Sequence, residues 1–174
     1  SSDGQGNIEF EGLAVFSTTS KGIYSGNMLG TKEMLERELT KYVSGEQLQK
    51  IKETLTDVLA SLLGRDYQGF LGVDMLIYRS RHSFAIHPCI EINLRRTMGL
   101  VALQISNRLI HNASKGQFII DYHKSENSAY DEHLRMQSDF PLQVADSKII
   151  SGYLSLCPVL PKTKYRAFII VTAD

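Results

Sequence analysis

Several things are missing from this sequence, and each absence removes a class of function. No apolar run is long enough to span a bilayer, and neither a signal peptide nor a lipidation signal is found, so no membrane role is expected. Lysine plus arginine and aspartate plus glutamate stand at 19 each, so there is no overall basic field. Nucleic acid is therefore not an expected partner. The two cysteines, Cys89 and Cys157, have no metal-type spacing. They read as reduced, buried thiols of a cytoplasmic protein. A Ser nucleophile elbow, a zinc motif, a Rossmann fingerprint and a glycine-rich phosphate loop are all lacking. No internal repeat or low-complexity tract appears.

What is present describes an ordinary globular chain. With 174 residues, 43% hydrophobic and 22% charged, it is long enough for one well-buried core and short for two. A single domain is expected. The leader "SSDGQGN" lacks an initiator Met, which suggests a piece of a longer protein. "NIEFEGLAVFS" and "GIYSGNML" read as strands joined by the turn "TTSKG". Thr31 can cap a helix over "TKEMLERELTKYV". Ser44 and Gln47 form a capping box ahead of Leu48, Ile51, Leu55, Val58, Leu59 and Leu62, a core-packing stripe that stops at Gly64. Two strands follow, "GFLGVDMLIY" and "SFAIHPCIEINL", and then a helix over about residues 97–112. "QFIIDYH" is another strand. Residues 124–147 read as a loop carrying a short helix near 130–136. "KIISGYLSLCPV" and "YRAFIIVTA" close the chain as an antiparallel pair. Strands meeting through tight turns, with helices grouped between them, predict an α+β fold with a largely antiparallel sheet.

The chemistry gathers in "CIEINLRRTMG". Read as a strand, it sets Ile90, Ile92 and Leu94 on one face and Glu91, Asn93 and Arg95 on the other. A turn around Arg81 and His82 predicts that Ser80 opposes Ala85, Tyr78 opposes His87, and Asp74 opposes Glu91. Opposed carboxylates repel unless something positive stands between them. Asp74 also interrupts an apolar strand, where aspartate is disfavoured. Asp74, Glu91 and Asn93 together offer the hard oxygens that Mg²⁺ prefers. Arg95 on the same face and the start of the following helix suit phosphate oxygens. The competing reading is a solvated sheet face, which shows the same alternation.

At these residues the chain resembles the ATP-grasp superfamily, whose members include D-alanine–D-alanine ligase and biotin carboxylase. "GVDML" followed by "IEINLR" is similar to that superfamily's carboxyl-terminal, metal-binding region, and the resemblance covers roughly residues 8–112. It implies an ATP-grasp C-terminal subdomain-like fold and a ligase that uses ATP as co-substrate with Mg²⁺ (or Mn²⁺). Such enzymes phosphorylate a carboxylate and let an amine or other nucleophile displace the phosphate. The resemblance assigns Asp74, Glu91 and Asn93 as metal ligands, with Glu91 bridging two ions, and Arg95 as the catalytic phosphate contact. Arg96, Thr97 and Gly99 fall in a substrate- and phosphate-facing loop, and Tyr24 and Asn27 are weaker substrate-side candidates. The family's adenine hinge and phosphate-gripping lysines lie upstream of the matched region. The chain therefore resembles the metal-binding half of the catalytic region, inactive as an isolated fragment. Its expected partners are small-molecule carboxylate and amine substrates and the upstream ATP-grasp subdomain; homo-oligomerisation is left open.

His87 and Cys89 share the expected face of Glu91 but have no zinc or Cys–His partner set. His111, His123 and His133 lie in polar contexts and read as surface. "ERELTKY" and "YDEHLR" read as solvated helical faces. Two other classes use the same residues: a metal-dependent phosphohydrolase, and a non-catalytic binding or assembly module.

Overall fold

The computed structural model describes residues 1–173. In chain order its elements are β1 (Ser2–Asp3), β2 (Phe16–Thr18), β3 (Tyr24–Leu29), α1 (Lys32–Leu39), α2 (Gly45–Leu63), β4 (Gln68–Gly69) and β5 (Gly72–Arg79). They continue with β6 (Phe84–Asn93), α3 (Met98–Leu109), β7 (Ser114–Tyr122), α4 (Ser128–Asp139), β8 (Gln143–Ala145), β9 (Lys148–Ser155) and β10 (Tyr165–Ala173). The class is α+β with mostly antiparallel pairing, as expected. The chain forms two compact units: Ser1–Leu13 with Glu36–Val101, and Ala14–Leu35 with the chain from Ala102 onward. Among the described residues no helix is long and apolar enough to cross a membrane.

The first unit contains α2, the β5–β6 hairpin and the short β1–β4 pair. The capping box forms as predicted: the Ser44 hydroxyl accepts from Gln47 N at 3.2 Å, and Gln47 Oε1 accepts from Ser44 N at 3.0 Å. The core stripe is narrower than expected. Leu48 and Leu59 are buried, whereas Val58 and Leu62 face solvent, because the apolar arc is wider than the face the unit covers. Gly64 ends the helix for a different reason from a left-handed cap. Its φ is −60°, and a Cβ there would meet Ala60 O at 2.5 Å and Gly6 Cα at 3.0 Å. The glycine lets the leader lie against the helix end, where Gly6 N donates to Gly64 O at 2.9 Å. The predicted strand over residues 7–17 shrinks to β2. Residues 8 and 9 turn their backbone to the leader instead, with Glu9 N donating to Ser1 O at 2.8 Å.

The second unit is a six-stranded antiparallel sheet in the order β2-β3-β7-β10-β9-β8. β10 pairs with β7 from Tyr165↔Tyr122 to Ala173↔Ser114, and with β9 through Phe168↔Ser155 and its neighbours. Met136 of α4, Tyr153 of β9 and Phe168 of β10 form a buried cluster, flanked by Ile119 and Ile170. The expected loop over residues 124–147 is more ordered than predicted, since it holds all of α4 and β8. Ala129 and Met136, seven residues apart, supply the buried face of α4. Its start carries no capping signal, because Asn127 sits in the left-handed region (φ 63°) and makes no side-chain cap bond.

Candidate functional site

β5 and β6 carry the acidic pair. A tight turn closes the hairpin, with Ser80 N donating to Ser83 O at 2.8 Å. Beyond it Tyr78 opposes Ala85 and Leu76 opposes His87. The predicted pairings of Ser80 with Ala85 and Tyr78 with His87 are therefore two residues out of register. The register then shifts between Asp74 and Leu76, and beyond the shift Asp74 opposes Glu91, as predicted. Pro88, Cys89 and Ile90 stand against Met75 alone. Proline has no N–H to give a ladder, so the irregularity falls where a regular one could not run. Two extra residues preserve the two-residue side-chain period, which returns Glu91 and Asn93 to the expected parity.

Burial along β6 runs against a simple wet face. Asn93 is only 7% exposed, while its neighbours Ile92 and Leu94 are 41% and 45% exposed. The apolar row of Ile90, Ile92 and Leu94 is open, and on the other row Glu91 is exposed while Asn93 is buried. Asn93 Nδ2 donates to Asp74 Oδ2 at 3.4 Å, which holds the amide and one carboxylate together. Among the described residues no ion pair involves Asp74 or Glu91.

The strand ends at Asn93, so alternation does not place Arg95 in the row as expected. Instead the chain turns, with Arg95 N donating to Asn93 O at 2.9 Å, and the Arg95 side chain is exposed. The Arg96 guanidinium lies 5.3 Å from the Phe70 ring centroid, a cation–π contact. Thr97 caps α3: its Oγ1 accepts from Leu100 N at 3.3 Å and its carbonyl accepts from Val101 N at 3.2 Å. Gly99 lies in the first turn of α3, which contains no acidic side chain. Gly72, at the start of β5, packs on Thr97, since a Cβ there would meet Thr97 Cγ2 at 2.7 Å. The helix start is therefore seated on the hairpin. His87 is exposed and Cys89 is a half-buried free thiol.

Tyr24 and Asn27 belong to β3, in the second unit, and their polar groups are paired internally. The Tyr24 hydroxyl donates to Asn27 Oδ1 at 2.5 Å, and Asn27 Nδ2 donates to Val15 O at 3.2 Å. Burial pushes the Tyr24 phenol up to about 12.

The second unit holds a polar cluster that the sequence reading did not identify. Arg166 and Asp121 oppose each other on β10 and β7. Arg166 Nε donates to Asp121 Oδ1 at 3.1 Å, and Nη2 donates to Oδ2. Burial raises the Asp121 carboxyl, but the hydrogen bonds and charge of Arg166 outweigh it and hold the group below the usual carboxylate range. His123 Nε2 lies 3.2 Å from Asp121 Oδ2, and His123 Nδ1 lies 2.9 Å from Ser128 Oγ. His133 Nδ1 lies 2.9 Å from the Tyr153 hydroxyl. Reading His123 and His133 as surface residues is corrected here, because both rings are held between α4 and the sheet by side-chain partners. The signals were Arg166 inside an apolar strand and the two-residue spacing of Asp121 and His123, which puts them on one face.

No protein-family model matches this chain, nor does any curated protein or solved structure.

Proposed function

We propose that this chain supplies the metal- and phosphate-binding strands of an ATP-grasp-type ligase of the cytoplasm. The reaction would activate a small carboxylate as an acyl phosphate for attack by an amine or other nucleophile. The observation that supports this reading is the Asp74–Glu91 pair, directly opposed, with Asp74 hydrogen-bonded to the buried Asn93 amide, and without a cationic partner among the described residues. Opposed carboxylates destabilise a hairpin unless a cation offsets them.

The donor set fits magnesium or manganese. Asp74, Glu91 and the Asn93 amide oxygen are all hard oxygen ligands, and magnesium completes its shell with water and phosphate oxygens. Bound there, the ion would neutralise charge on the triphosphate and align it for transfer. The chain's own contribution is position. Arg95 is exposed at the turn, where its Nη1 donates weakly to Arg96 O at 3.5 Å and its remaining donors would meet phosphate oxygens. Leu100 N is taken by Thr97 Oγ1, while the amides of Met98 and Gly99 at the start of α3 have no intrahelical acceptor, and Thr97 on Gly72 keeps them fixed relative to the hairpin. In this proposal the adenine-binding hinge and the phosphate-gripping lysines come from another segment, so a site made by this chain alone stays open to water. An open site weakens each charge interaction relative to a closed cleft.

Calorimetry with ATP on the purified chain tests the reading. Weak binding that requires Mg²⁺, disappears in Glu91→Gln and yields no ADP is expected. Binding that is equal without the metal or unchanged in Glu91→Gln would overturn it. Phosphate release from ATP in the absence of any acceptor would favour a phosphohydrolase.

A further inference from the structure

The geometry points to a separate chemical site in the second unit: Ser128 is a nucleophile for acyl transfer, His123 its base and Asp121 the carboxylate that orients the base, with short-chain carboxylic esters as the substrate class. Three observations converge on it. His123 touches a different partner with each ring nitrogen, Asp121 Oδ2 at 3.2 Å from Nε2 and Ser128 Oγ at 2.9 Å from Nδ1. The Nε2 atom is shielded from solvent and faces the Asp121 carboxylate without a well-aligned hydrogen bond. With the ring proton on Nε2, facing a carboxylate that can only accept, the Nδ1 lone pair accepts from the Ser128 hydroxyl. That tautomer and that direction of the hydrogen bond are those a base needs to take the serine proton.

The third observation concerns rigidity. Arg166, with its side chain 1% exposed, grips Asp121 through both carboxylate oxygens, so the carboxylate cannot swing away from His123. Ser128 opens α4 and is partly exposed, and residues 124–127 beside it are all exposed, which leaves a path for substrate.

The reaction balances with water as the only co-reactant. Ser128 Oγ bonds to the ester carbonyl carbon while its proton passes to His123 Nδ1. The bond from that carbon to the alcohol oxygen then breaks, and Nδ1 returns the proton to the departing alkoxide. Water, deprotonated in turn by Nδ1, attacks the acyl-serine; the carboxylic acid leaves and the hydroxyl is restored.

The same contacts also dock α4 on the sheet, a role that requires no reactivity, so the test reads reactivity. The whole chain is incubated with diisopropyl fluorophosphate, and the adduct is located by peptide mass spectrometry. A single adduct on Ser128 is expected. Hydrolysis of p-nitrophenyl acetate should fall about a hundredfold or more in Ser128→Ala and in His123→Gln. A wild-type chain that is not labelled, or is labelled elsewhere, overturns the proposal without any variant. So does Ser128→Ala hydrolysing the ester at the wild-type rate while its thermal melt is unchanged.

Discussion

Arg166 and Asp121 face each other across β10 and β7, but the two ends of this ion pair see different surroundings: the arginine side chain is 1% exposed and the aspartate 28%. Removing one partner of a buried pair leaves an uncompensated charge, and the more buried charge suffers more. Asp121→Ala should therefore cost about 3 kcal/mol. Arg166→Met should cost less, because the remaining carboxylate still reaches water and His123. Urea denaturation of both variants checks the order. Equal losses would mean that the asymmetry in burial does not govern the pair.

Acid should weaken the fold in two steps. Burial first, and then the charge of Arg166, lower the pKa of His133 below its ordinary value. The folded state therefore resists a proton that the unfolded chain accepts. Stability contributed by His133 is complete above the unfolded value of about 6.5 and is lost as pH falls through the folded one. Asp121 is likewise depressed, and its contribution is lost only below about pH 4. Thermal melts between pH 8 and pH 3 should show both declines. His133→Gln should flatten the first and leave the second.

Glu91→Gln removes one charge from an opposed like-charged pair without touching the core. Cross-strand pairs of this kind are worth about 0.2–1 kcal/mol. The melting temperature in the absence of divalent metal should hold or rise slightly, while Mg²⁺-dependent ATP binding disappears. Clear destabilisation by this substitution would point to a structural role for Glu91.

Gly72 and Thr97 couple the hairpin to the start of α3. Gly72→Ala sets a methyl 2.7 Å from Thr97 Cγ2, too close for two carbons, and a β-branched side chain has few ways to yield. The shifted Thr97 should lose its cap bond, a cost of about 1 kcal/mol. Thr97→Ser keeps the capping hydroxyl and removes the obstructing methyl, so adding it to Gly72→Ala should recover most of the loss. Circular dichroism melts of the three variants decide the matter.

Some of this protein is written locally. The capping box at Ser44, the helices over α2 and α3 and the closing β9–β10 pair depend on neighbours a few residues apart, and the pattern alone marks them. The opposition of Asp74 and Glu91 was expected from the turn, yet the register the turn sets pairs Leu76 with His87, and only the shift between Asp74 and Leu76 brings Glu91 opposite Asp74. The pairings nearest the turn differ from the expected ones by two residues, because the ladder starts at Arg79 and Phe84 around the Ser80–Ser83 contact, and nothing in the alternation marks the two extra residues of β6 at Pro88 to Ile90. Tertiary packing decided the rest. Burial set Asn93 inward and left Ile92 and Leu94 open, contrary to their polarity, and alternation cannot show which face a sheet presents to its neighbours. His123 and His133 looked like surface residues in a polar stretch, yet pairing of β7 with β10 and docking of α4 bring Asp121, Arg166 and Tyr153 to them. Contacts between residues 20 to 45 positions apart leave no period in the chain, because they are made by the order of the strands.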